Sequence, residues 1–331
     1  MTKRARRRRV DARVSNRFAI TSVANFLGSH LCTALLTRGH EVVGIDCIRS
    51  GRERMQMQAD LATAIARGLE FHEIDIACCS DLASLLRDVD TVFHMAGYPR
   101  TDDNENKLVP PALSQALSDE VLATSRVVDA CFETRPRRLV PASSAHVSRD
   151  RPRVSMTGHS PFLTWTGLAT AREQLVAQLT SSGRSRSVAL RYGAVYGPCQ
   201  RPEMAFARLV DAAIRCRDPI GAFLSSYDAV YVDDAVEAAV AAATRGPRSV
   251  YTVTNESETP LHEITAVISK CLGYRLSIAD VSDRVESWSR PTPSSSARRE
   301  LWLVCRTNID VGLRAQIAQS QACRPAGREG V

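Results

Sequence analysis

The chain has 331 residues, 44% of them hydrophobic and 24% charged, a composition that supports a packed soluble core and excludes a disordered or disulfide-scaffold protein. The formal net charge of +7 sits wholly in the first 17 residues, where "KRARRRR" and two further arginines, Arg13 and Arg17, face Asp11 alone. The remainder is balanced, which argues against a nucleic-acid-binding body.

Residues 1–16 read as a solvated basic tail. No apolar segment follows Arg9, so a secretory leader is not expected. No uninterrupted apolar run reaches the about 18 residues a membrane helix needs. Ten cysteines are scattered without a C-x-x-C pair or histidines at zinc spacing, which points to reduced thiols, a cytoplasmic protein and no metal centre.

"RFAITSV" (17–23) reads as a buried strand, "FLGSHLCTALLTRGH" as a helix closed by Gly39, and "EVVGID" (41–46) as the next strand. A crossover helix returns the chain in the same direction, so these strands are parallel. "LEFHEID" and "TVFHMAG" continue the strands, with "CSDLASLLRDV" as the helix between them. "PPALSQALSDEVLATSRVVDACFET" is a long helix, "RRLVPASSA" a strand, 165–181 a second long helix and "SVALRYGAVYG" a further strand. The alternation predicts a doubly wound α/β sheet over 17–201. From 202 to 323 the signal is mixed, predicting a smaller C-terminal lobe interleaved with the first domain. Residues 324–331 read as a disordered tail.

Together "FLGSHLCTALLTRGHEVVGID", "VDTVFHMAG", "VPASSAHV", "LRYGAVYGP", "QRPEMAF" and "VYVDDAVEA" resemble, in order and spacing, the extended short-chain dehydrogenase/reductase family and its NAD-dependent nucleotide-sugar epimerases and dehydratases. The resemblance runs over about 17–313 and implies a Rossmann-like fold with NAD as cofactor. It assigns Gly28 to the phosphate turn, Asp46 to the adenosine ribose, Asp75 and Ile76 to the adenine, and Ala96, Gly97 and Tyr192 to the remaining cofactor surface. Met204, Ala205 and Phe206 would line a base-sized pocket on the substrate side. The family turn is T-G-x-x-G-x-x-G, and here Ser22 and Asn25 replace its first two glycines. Cofactor binding is therefore expected to be weakened or lost.

Catalysis in the family relies on a Tyr, a Lys four residues later on the same helical face, a Ser or Thr, and an Asn. The Ser is present as Ser144, but Trp165, Ala169 and Glu120 stand at the other three positions. An indole N–H only donates, so Trp165 offers no acid/base chemistry. Arg172 is displaced around the helix from Ala169 and stays charged, a poor substitute for the Lys. His146, two residues beyond Ser144, is the one nearby group that titrates near neutrality. Ala194 and Tyr227 replace an Asn and an Arg that contact the substrate diphosphate in the family.

The resemblance with these departures implies an epimerase-like pseudoenzyme. The alternatives are an active 4-epimerase or related isomerase with a rearranged site around Ser144 and His146, and a module that binds NAD or a UDP-sugar without reacting. A nucleotide sugar is the expected small-molecule partner, with no specific nucleic acid and no membrane. The two long helices resemble those that pair across a four-helix interface in the family, which implies a homodimer or a heterodimer with an active paralogue.

Overall fold

The computed structural model describes residues 16–48, 53–95, 110–148, 161–202, 204–215, 226–276 and 293–323. The first half runs β1 (Arg17–Thr21), α1 (Phe26–Thr37), β2 (Glu41–Asp46), α2 (Glu53–Ala66), β3 (Leu69–Glu73), α3 (Leu82–Leu85), β4 (Thr91–His94), α4 (Pro110–Thr134), β5 (Arg138–Ser144) and α5 (Pro161–Ser181). The second half runs β6 (Arg186–Ser187), β7 (Ala189–Tyr192), β8 (Ala194–Tyr196), α6 (Ala205–Ile214), β9 (Ser226–Tyr227), β10 (Ala229–Tyr231), α7 (Val232–Thr244), β11 (Val250–Val253), β12 (Thr259–Pro260), α8 (Leu261–Leu272) and α9 (Ile309–Ala322).

The main sheet has the order β11-β7-β5-β4-β1-β2-β3, with β6 beside β5, and its pairings are parallel. Alternation along each strand sends side chains to both faces. Phe18, Ile20 and Val42 join one core with Leu31 of α1, Leu61 of α2 and Ala239 of α7. Ala19, Val43 and Ile45 join the other with Leu82 of α3, Val127 of α4 and Val176 of α5. Burial on both faces explains why these strands read as continuous apolar runs. The doubly wound architecture expected from the sequence is present.

"SVALRYGAVYG" is not one strand. The chain leaves the main sheet at Gly193, whose N–H bonds Val253 O (3.0 Å), while Ala194 N–H bonds Asp228 O (2.8 Å) and β8 pairs with β10. A Cβ on Gly193 would lie 2.6 Å from Asp228 O, so the crossing requires glycine. Beyond this point α6, α8 and α9 pack around a third core of Tyr196, Phe206, Ile264 and Leu313. The chain also returns to the first sheet, through β11 beside β7 and α7 against α1. The helix α2 was not legible, because "ERMQMQADLATAIA" has a weak apolar stripe. Residues 1–15 of the basic tail and residues 324–331 lie outside the described residues.

Candidate functional site

The parallel order reverses direction of growth at β1, which has β2 on one side and β4 on the other. In such sheets ligands bind in the crevice beyond the carboxyl ends of the strands flanking that point. The turn leaving β1 forms one wall. Ser22 has φ 56°, in the left-handed region that favours glycine, and its N–H donates to Ile45 O at 2.7 Å. Asn25 N–H closes the turn on Ser22 O at 3.1 Å. Gly28 lies so close beneath that a Cβ there would sit 2.3 Å from Ser22 O, which makes this glycine obligatory for packing α1 on β1.

Asn25 caps α1: its Oδ1 accepts from Gly28 N–H at 2.6 Å. Its Nδ2 donates in the opposite direction, to Met95 O just past β4. Asp46, at the end of β2, accepts from Ala24 N–H through Oδ2 and from Cys47 N–H through Oδ1, both at 2.8 Å. The acid therefore sits beside the turn the resemblance assigns it to, holding backbone. Asp75 caps the short turn Ile76–Cys78 by accepting from Ala77 N–H at 3.1 Å, and Ile76 is buried beside it. Ala96 and Gly97 lie outside the described residues.

A polar chain runs below the crevice. His94 is buried, with Nδ1 2.8 Å from Thr21 Oγ1 and Nε2 3.0 Å from Thr124 Oγ1. Thr124 gives its own proton to Glu120 O, so His94 donates from Nε2 and accepts at Nδ1 from Thr21. Burial, followed by the nearby Arg172 charge, holds His94 well below the ordinary histidine range, and it is neutral.

Arg172 of α5 is buried and reaches Glu120 of α4, with NH2 3.1 Å from Oε2, and Ala142 O of β5, 3.0 Å from NH1. Burial raises the Glu120 carboxyl above the usual glutamate value and outweighs the opposing Arg172 and Arg201 charges. Ala169, which the resemblance sets against the family's Lys, is buried at 5% exposure. Arg172 turns to Glu120 and the sheet, a pairing the sequence reading did not anticipate. Trp165 lies on α5; its side chain and that of His146 lie outside the described residues. Ser144 ends β5, buried, in register with Tyr192.

Two anchors beside Ser144 escaped the sequence reading. Glu173 accepts from Ser143 Oγ at 2.5 Å and binds Arg191 through both oxygens, at 2.8 and 2.6 Å. Its signal was its place on α5, four residues past Ala169, but the partner on β7 is not deducible from helical spacing.

On the expected substrate side, Phe206 is 1% exposed and stacks on Tyr196 with centroids 4.9 Å apart, as part of the lobe core. Met204 precedes α6, and Ala205 is half-buried at its first turn. Tyr192 is buried with its hydroxyl donating to Ala235 O at 3.2 Å, and burial pushes its pKa far up. Tyr227 is buried in edge contact with Phe206, and Ala194 begins β8. Among the described residues no group of three or more metal-ligating side chains gathers, and no helix is long and apolar enough to cross a membrane.

A doubly wound parallel sheet with a capped helix after its first strand and an acid ending its second defines a Rossmann-like α/β protein. The sequence profile of the NAD dependent epimerase/dehydratase family matches residues 19–254, and the chain belongs to that family. It is 30% identical over 224 residues, 66% of this chain and 69% of the relative, to an uncharacterized UDP-glucose epimerase, YtcB, of Bacillus subtilis. It superposes on MoeE5 in complex with UDP-glucose and NAD with a TM-score of 0.75 at 26% identity, covering 93% of this chain and 99% of the other. A UDP-glucuronic acid 4-epimerase mutant from Bacillus cereus gives a TM-score of 0.79 at 24% identity, covering 93% and 100%, and shares the fold.

Proposed function

We propose that this protein is a nucleotide-sugar epimerase/dehydratase scaffold that accepts NAD weakly and does not run the family's standard redox reaction. The observation that carries the reading is Ala169, a buried alanine where the resemblance sets the lysine that would hold the cofactor and tune a tyrosine. Arg172, the nearest cation on α5, is committed to Glu120 and Ala142 O. The cofactor reading is supported by the crevice beside β1, the close packing at Gly28 and the acid at Asp46, and by relatives solved with NAD. The fit is incomplete, because Asn25 fills the turn where a diphosphate would approach.

Without its chemistry, the scaffold acts by association. It pairs through α4 and α5, with itself or with an active relative; the exposed Val121 and Leu122 on α4 support this. The test of the reading is incubation with NAD and a panel of UDP-sugars, followed by proton NMR of the sugar. Unchanged sugar is expected, and an epimerised or dehydrated product sinks the reading.

One observation favours a second reading, an enzyme with a rearranged site. Glu120 is a titratable carboxyl of raised pKa, 21% exposed, beside a buried cation. If it were the acid/base, Glu120→Gln would remove a turnover that the wild type shows.

A further inference from the structure

We propose that Asn25 is a latch across the nucleotide crevice: its side-chain amide ties the start of α1 to the end of β4 and must swing out before a dinucleotide diphosphate can reach the turn. The inference rests on the reading of this crevice as the cofactor site and deepens it.

The geometry carries the argument. β1 and β4 are the strands between which the crevice opens. Asn25 follows β1, and Met95 follows β4 directly. The amide spends both its ends on this gap: Oδ1 takes Gly28 N–H, and Nδ2 gives a proton to Met95 O. A flipped amide would set oxygen against the Met95 carbonyl and N–H against the Gly28 N–H, so the orientation is fixed by chemistry.

The same bonds remove what an anion would use. Gly28 N–H is one of the free donors that make a helix start attractive to phosphate, and here a side-chain oxygen already satisfies it. Ala24 N–H, in the same turn, is held by Asp46. A glycine at residue 25 would leave the helix start open and the gap unbridged. The cofactor therefore competes with an internal ligand, and its apparent affinity is lowered by the fraction of molecules in which the latch is closed.

The test is calorimetric titration of NAD into the full-length wild type, Asn25→Gly and Asn25→Ser, with thermal melting to confirm that each is folded. Glycine is nearly as good a cap as asparagine, and serine keeps the cap while being too short to reach Met95 O, so both variants should keep α1 intact. The expected result is weak binding by the wild type, a dissociation constant lower by about ten- to a hundredfold in Asn25→Gly, which breaks both ties, and lower by about three- to tenfold in Asn25→Ser, which breaks only the tie to Met95 O. Equal, measurable affinities in all three proteins would overturn the latch and leave the cofactor reading standing. No heat from any of them at millimolar NAD would overturn both. Turnover of sugars is a separate readout and bears on the missing relay alone.

Discussion

Arg172→Met isolates the buried Glu120–Arg172 pair that joins α4 to α5. The substitution keeps the aliphatic stem and deletes the guanidinium, so Glu120 Oε2 and Ala142 O each lose a donor, at 3.1 and 3.0 Å in the wild type. Hydrogen bonds to charged groups contribute about 1.5–3 kcal/mol each, and removing one partner of a fully buried pair costs about 3–5 kcal/mol. Glu120 is 21% exposed and can take up water or a proton, and the cost of burying Arg172 is recovered. These offsets bring the expected loss to about 2–3 kcal/mol at neutral pH.

The pH dependence gives a sharper signature. The folded pKa of Glu120 lies above the ordinary 4.5. The folded state thus holds this proton more tightly than the unfolded chain, so its contribution is complete below about 4.5 and is lost as pH rises through the folded value. Without Arg172 the folded pKa rises further. The deficit of Arg172→Met should be smallest near pH 4.5 and grow toward pH 8. Urea unfolding of wild type, Arg172→Met, Glu120→Gln and the double variant across that range measures it. Additive single substitutions, or an Arg172→Met deficit that shrinks as pH rises, would refute the coupling of Glu120 to Arg172.

Gly28→Ala places a methyl 2.3 Å from Ser22 O, a backbone atom that cannot give way, so a loss of at least about 2–3 kcal/mol, or failure to fold, is expected by thermal melting. His94 has a folded pKa below the ordinary 6.5, so the unfolded chain binds the extra proton: wild-type stability should fall by up to about 1.4 kcal/mol per pH unit as pH drops below about 6.5. His94→Gln should flatten that slope, and an unchanged slope would contradict the neutral assignment. Glu173→Gln weakens the two-oxygen hold on Arg191 and should cost about 1–2 kcal/mol in urea unfolding. Light scattering should give a dimer for the wild type and a smaller species for Leu122→Glu, since Leu122 is 44% exposed on α4; a monomeric wild type would exclude self-association.

The sheet was legible because both its faces are buried: "RFAIT", "EVVGID" and "TVFH" leave few readings besides parallel strands between helices. The crossing at Gly193 was not, since Ala194–Tyr196 is as apolar as β7 and only pairing with β10 shows that the chain has changed sheets. At the site, the resemblance singled out inert residues such as Ala169, which the structure shows buried. Replacements by another polar residue hid their partners. Asn25 read as an obstacle in a turn, while its bridge to Met95 joins residues 70 positions apart. Glu120 and Arg172, 52 positions apart, read as one lost amide and one misplaced cation before the fold paired them.

Loss of the redox reaction means that hydride never leaves a sugar in this protein. The most direct measurement is the fluorescence of reduced nicotinamide when the full chain is mixed with millimolar NAD and UDP-glucose or UDP-glucuronic acid, with Asn25→Gly run alongside so that a closed latch does not mask chemistry. A flat trace in both proteins is predicted, because neither has a group at residue 169 to support a proton acceptor. Reduced nicotinamide appearing with either sugar would contradict the loss of the relay and direct attention to Ser144 and Glu120 as the groups of a working site.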